Sequence, residues 1–316
     1  MNKYFAALLP LAFLLPACCT TPTLAPPATI SLTQQVDVLN QRAALVTGLR
    51  APGAQVWVQF KDDGGHTQSY TLDGSLLFRQ YANPAGEQAA DVLLVGRYAG
   101  QDVFELGSNQ TDHWMAIRRE ANKAYIGKIG GPGAGMIPLM AEDVAKVLAI
   151  ARLYENLAQS PAALRLAMTI QDQPEPPTNE VYIIHTPTDR PAWIERIEVV
   201  NRRTGDVDEV RMYRPDGVLE ATARLSDYRA ADGDGVVVET QALPPAPRLP
   251  HKFQLDYPGR QAKLELTFGT MKLAPELLGP AGRRAFATPN FGEQGLEIID
   301  VDAPRAAAPP GAAKAP

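Results

Sequence analysis

Few side chains in this 316-residue sequence have the type and spacing to do chemistry. Its two cysteines, Cys18 and Cys19, are adjacent. Neighbouring cysteines rarely bridge each other, because a disulfide needs Cα atoms about 4.4–6.8 Å apart with converging side chains. The rest of the chain has no cysteine, which rules out a disulfide framework, a thiolate metal cage and a catalytic thiol in the body. The histidines His66, His113, His185 and His251 are far apart and make no His-x₃-His or His-Glu-x-x-His pair, so no metal and no cofactor is expected. Gly130-Gly131-Pro132-Gly133-Ala134-Gly135 lacks the Gly-Lys-[Ser/Thr] ending of a phosphate loop and reads as a connector. Asp232-Gly233-Asp234-Gly235 has Val236 where a calcium loop places its next ligand, and reads as a hairpin turn. No Gly-x-Ser-x-Gly elbow occurs, and nothing marks catalytic residues, so the chain is not expected to be an enzyme. A net charge of −5 with no long basic run argues against a nucleic-acid partner.

The cysteines follow an apolar run. Lys3 supplies a positive start, and Tyr4 to Pro16 is almost wholly apolar but shorter than the about 20 residues that cross a bilayer. It reads as the core of an export signal over residues 1–17. Leu15-Pro16-Ala17-Cys18 resembles the lipobox of bacterial lipoproteins. The resemblance implies acylation of Cys18 and cleavage before it. The alternative is an ordinary secretory signal cleaved after Ala17. Several acyl chains anchor stably where one binds only reversibly. Cys19 rather than Asp after the lipidated residue implies, by resemblance to lipoprotein sorting rules, an outer-membrane protein facing the periplasm. The inner membrane and the cell surface stay open. Residues 18–29, rich in Pro and Thr, form a tether.

The elements come next. Ser31-x-x-Gln34 fits a capping box, and Leu32, Val36, Leu39, Ala43 and Val46 fall on one helical stripe with Gly48 as C-cap. After Pro52 the period becomes two: Val56, Val58 and Phe60 alternate with Gln55, Trp57 and Gln59. Turns are expected at Asp62-Asp63-Gly64-Gly65 and at Asp73-Gly74, with Leu76 and Phe78 beyond, and further strands around 90–98, 101–107, 111–119 and 122–128. Trp114, in the polar stretch Asn109 to Trp114, looks exposed. A helix is expected over 141–159. A second meander runs from about Leu164 to Phe268, with turns at Arg203 to Asp206, Arg214 to Gly217, Asp232 to Gly235 and Pro258-Gly259. Leu219, Ala221, Ala223 and Leu225 share a face, as do Phe253, Leu255 and Tyr257, and Ala262, Leu264, Leu266 and Phe268. Residues 302–316 read as a disordered tail.

One apolar sheet face and two amphipathic helices imply a mainly β fold: a large curved antiparallel sheet, an open and incomplete barrel, covered by the helices. It occupies residues 30–301 and divides into two lobes around helix 141–159. The order of elements, and Phe286-Ala287-Thr288-Pro289-Asn290-Phe291-Gly292 followed by Leu296-Glu297-Ile298-Ile299-Asp300, resemble the family of the lipoprotein carrier LolA and the receptor LolB. The resemblance implies a non-catalytic protein, held to the membrane by its lipid, with a cavity that takes acyl chains or a lipoprotein in lipoprotein or lipid sorting. Val56, Val58, Phe60, Phe78, Leu219, Leu225, Phe253, Leu255, Leu264, Leu266 and Phe268 would line it, or would form plain core if the helices fill the space. The alternative is an envelope protein-interaction module, since the stress-sensor regulator RseB has a similar fold.

Overall fold

A computed structural model describes residues 30–62, 64–83, 88–119, 121–148, 167–172, 180–187, 194–231 and 247–303. Cys18, the leader, the tether, the Asp232 to Gly235 turn, the expected helix beyond 148 and the tail beyond 303 lie outside these residues.

Helix α1 (Leu32–Leu45) begins as its capping box dictates. The Gln34 amide donates to Ser31 Oγ at 3.2 Å, and the Ser31 amide donates to Gln34 Oε1 at 2.8 Å. It does not end on a glycine cap. Val46 is the C-cap, and the last carbonyls are met from outside: Gln80 Nε2 donates to Ala43 O at 2.6 Å and Val46 O at 2.7 Å. Gly48 instead opens strand β1 (Gly48–Lys61), where a Cβ would lie 2.1 Å from Ala274 O. Close approach, rather than a helix cap, requires the glycine there.

Strand β2 (Thr67–Ala82) runs straight through Asp73-Gly74, so the turn expected there does not exist. Gly74 lies in the ladder between Ala54 and Gly96. A side chain on it would meet Val56 Cγ2 at 2.6 Å and Val95 O at 2.7 Å, so this glycine serves close packing in mid-strand. Then follow β3 (Gln88–Tyr98), β4 (Gln101–Ser108), β5 (Asp112–Ile117), β6 (Lys123–Lys128) and helix α2 (Ala141–Val147). Ala99 and Gly100, with φ of 50° and 81°, form the two-residue turn between β3 and β4. The second meander comprises β7 (Ala167–Asp172), β8 (Glu180–Pro187), β9 (Ile194–Asn201), β10 (Val207–Tyr213), β11 (Leu219–Ala230), β12 (Arg248–Tyr257) and β13 (Ala262–Phe268). The chain closes with β14 (Lys272–Leu273), helix α3 (Pro280–Ala285) and β15 (Glu297–Asp300).

All these strands form one open sheet in the order β15-β6-β5-β4-β3-β2-β1-β13-β12-β11-β10-β9-β8-β7, with β14 added to β1. The β1–β13 pairing joins the two meanders, and β15 pairs with β6 in the parallel sense. The sheet must curl. Neighbouring residues of α2 reach strands six places apart: Glu142 meets His113 on β5 at 3.4 Å, and Asp143 accepts from Tyr257 Oη on β12 at 2.7 Å. Laid flat, those strands would be about 29 Å apart. α1 likewise touches Gln80 on β2 and the β9–β10 turn. The expected large, curved, open antiparallel sheet covered by helices is therefore what the chain forms.

The inner face, toward α1 and α2, carries the main core. The outer face of β2–β6 is covered by the chain's own end. Leu277 and Phe286 pack over Leu77 and Leu93, while Phe291 and Leu296 pack over Trp114, Ala116 and Ala124. Trp114 is therefore buried, with its indole donating to Glu105 at 2.9 Å, contrary to the exposed position expected.

Candidate functional site

The residues expected to line a cavity come together, with one exception. Cross-strand register places Val56 beside Leu266, Leu266 beside Phe253, and Phe253 beside Leu225. One step along, Val58, Leu264 and Leu255 form a second row. Phe60, Phe78 and Phe268 complete the inner face, and all ten belong to one buried cluster. Leu219 does not join them. It starts β11 at the tip of the β10–β11 hairpin, beside a register shift, and is 37% exposed. Alternation alone could not show that a strand end had run past the core.

Among the described residues, side chains of both helices pack in front of this face. Val36 and Leu39 of α1, its C-cap Val46, and Val144 and Val147 of α2 belong to the same cluster. Between α1 and β10–β12 a cavity of about 10 Å³ remains, lined by Leu39, Arg42, Leu148, Val207, Tyr228 and Leu249 among others. That is room for about one water, against roughly 300 Å³ or more for a small-molecule site. α1 is also tied down by charge. Arg42 donates to Gly205 O at 2.6 Å and to Asp206 Oδ1 at 3.2 Å, and Arg248 donates to Asp206 Oδ2 at 3.3 Å. Tyr228 Oη donates to Val207 O at 2.6 Å, and burial, with the charges of Asp206 and Asp208, pushes its hydroxyl well above the ordinary value.

A larger hollow lies on the other side of the sheet. On the outer face of β9–β13 a groove of about 550 Å³ is lined by Val199, Asp208, Glu209, Arg224, Lys252 and Glu265 among others, and three of the residues expected to line a cavity, Leu225, Phe253 and Leu266, also border it. Register explains its chemistry. Glu209, Arg224, Gln254 and Glu265 form one row across four strands, and Ser226, Lys252 and Thr267 form the next. Arg224 sits between two acidic residues in the first row, next to Glu209 and separated from Glu265 by the neutral Gln254. Arg224 is 3.9 Å from Glu209 and its side chain is 73% exposed, so the pair is loose. Burial pushes the Asp208 carboxyl above the ordinary carboxylate range at the groove's flank, partly offset by Asn201 Nδ2 at 3.4 Å. In the sequence these residues were only the wet half of an alternating pattern. The rows depend on register between distant strands, which no single segment reveals.

Ser108 and His113 are cross-strand neighbours, and Glu142 lies 3.4 Å from His113 Nδ1. A triad would need Nε2 to face the serine on β4. Instead Nε2 faces β6, 2.6 Å from where a Gly127 Cβ would be. The glycine-rich loop after β6 is already occupied: Asp302 Oδ1 accepts the Gly133 amide at 2.8 Å. Among the described residues no three His, Cys, Asp or Glu side chains group as metal ligands, and no helix is long and apolar enough to cross a membrane.

No family model and no curated protein matches the chain. Among solved structures it is similar to a DUF1329 family protein from Desulfovibrio piger, at 12% identity and a TM-score of 0.47, covering 80% of this chain and 99% of that one. It is also similar to a LolA superfamily protein from Nitrosomonas europaea, at 10% identity and a TM-score of 0.42, covering 76% of this chain and 93% of that one.

Proposed function

We propose that this chain is a non-catalytic bacterial envelope protein, tethered to the outer membrane through acylated Cys18, that works by binding other envelope proteins on the outer face of β9–β13. The observation that carries this reading is the placement of empty space. Among the described residues the cavity beside α1 on the apolar face measures about 10 Å³, whereas the groove on the polar face measures about 550 Å³. A groove walled by Glu209, Arg224, Lys252 and Glu265 suits a polypeptide, which brings charges and amides of its own. An acyl chain laid there would desolvate those charges without compensating them. The acyl-carrier reading would require α1 to leave Arg42, Gln80 and Asp206 and a packed core to open.

The test is a photo-reactive amino acid placed in turn at Ser226, in the groove, and at Leu264, in the interior. Irradiating intact cells is expected to give a protein-sized adduct from position 226 and none from 264. A lipid adduct at 264, with nothing at 226, would overturn the reading and restore the carrier.

A further inference from the structure

Three segments distant in sequence converge on one buried imidazole. His113, on the inner face of β5, is 1% exposed, and neither ring nitrogen has a partner in hydrogen-bond geometry. Nδ1 lies 3.4 Å from Glu142 Oε1, in the first turn of α2. Nε2 faces the cross-strand Gly127, where a Cβ would lie 2.6 Å from Nε2 and 3.3 Å from Asp302 Oδ2. Only the missing side chain leaves His113 and Asp302 in sight of each other. Asp302 in turn accepts the amides of Lys128 at 2.5 Å and Gly133 at 2.8 Å, fixing the chain just beyond β15.

We propose that His113 is a proton-operated latch fastening the C-terminal strap, β15 with Asp302, and helix α2 to the sheet. When the imidazole carries its second proton, both nitrogens donate, one toward Glu142 and one toward Asp302. When it loses that proton, one of the two contacts loses its donor.

Charged groups stand around the ring. α2 brings Glu142 and Asp143 with Lys146, the strap brings Asp300 and Asp302, and Lys128 at the end of β6 is engaged by Asp112 at 2.6 Å. From β4 the facing group is the uncharged, buried Ser108 hydroxyl. Both carboxyls respond. Asp302 is held below the usual range first by the Lys128 and Gly133 amides, then by the charges of His113 and Lys128. Burial pushes Glu142 up, but His113 and Lys146 bring it below the usual range. Both carboxylates therefore stay ionised at mildly acidic pH and remain acceptors for a doubly protonated ring.

β15 is a four-residue edge strand with Glu297, Ile298 and Asp300 exposed. The residues leading into it, Phe291 and Leu296, cap Trp114, Ala116 and Ala124. Letting go uncovers that patch and leaves β6 as the sheet edge.

Amide hydrogen exchange on the full chain tests this. After correction for intrinsic exchange, residues 297–301 are expected to be about tenfold better protected at pH about 5.5 than at about 8, the size of one hydrogen bond to a charged group. His113→Gln is expected to abolish the difference. If that variant folds poorly, Asp302→Asn removes the opposite arm and is expected to flatten the dependence equally. Equal protection at both pH values in the unaltered protein overturns the latch, as does a pH difference that survives in a folded His113→Gln protein.

Discussion

Replacing Arg79 with alanine is expected to destabilise the protein by about 3–5 kcal/mol. Asp91, on β3, is fully buried, and its carboxylate faces the Arg79 guanidinium across the β2–β3 ladder. Arg79 Nε donates to Asp91 Oδ2 at 2.7 Å, and the second donor, from Nη2, is shorter still. Tyr81 Oη donates to Asp91 Oδ1 at 2.8 Å. The guanidinium also sits 4.9 Å from the Tyr81 ring and 5.1 Å from the Phe286 ring, under the segment that includes α3. Burial, and then Asp91, push the Tyr81 hydroxyl up to about 12. Removing Arg79 strands a buried negative charge, which is costlier than losing the pair together. Arg79→Met combined with Asp91→Leu should therefore recover most of the loss. Thermal unfolding would show the single variant melting roughly 6–20 °C lower, at 2–4 °C per kcal/mol for a body of this size. A shift under about 2 °C would mean that water reaches Asp91 and that the C-terminal cover is not seated as described.

The second large effect distinguishes a core from a cavity wall. Phe78 is fully buried on the inner face, between Leu49 and Val92 in the ladder. If α1 and α2 fill the interior, Phe78→Ala costs about 3–5 kcal/mol, because the lost burial is joined by the void left behind. If Phe78 lined an open cavity, the void would already exist and the cost would fall toward the transfer component alone, about 1.5–3 kcal/mol. Leu219→Ala serves as the internal control: the side chain is 37% exposed, and a change within about 0.5 kcal/mol is expected. Urea unfolding of both variants measures the contrast in one buffer.

Much of this architecture could be read from local pattern. Ser31 and Gln34 marked the start of α1 because a capping box is complete within four residues. Val56, Val58 and Phe60 marked an inner face because a half-buried strand alternates. The misreadings share a cause: each depended on what a distant segment brings. Gly74 looked like a turn because Asp-Gly usually is one, but Val56 and Val95 crowd it from neighbouring strands. Gly48 looked like a helix cap, but Gln80 does the capping from β2. Trp114 sat in a polar stretch, and its cover comes from Phe291. The groove was hidden for the same reason, since Arg224, Gln254 and Glu265 become a row only once β11, β12 and β13 are in register.

The central claim is that the interior is a filled core and the working surface faces outward. Native mass spectrometry of the full chain, purified without denaturation, tests it most directly. The expected mass is that of the polypeptide with whatever is covalently attached at its N-terminus, and nothing that departs on denaturation. A stoichiometric lipid or fatty acid, present under native conditions and lost on unfolding, would contradict it.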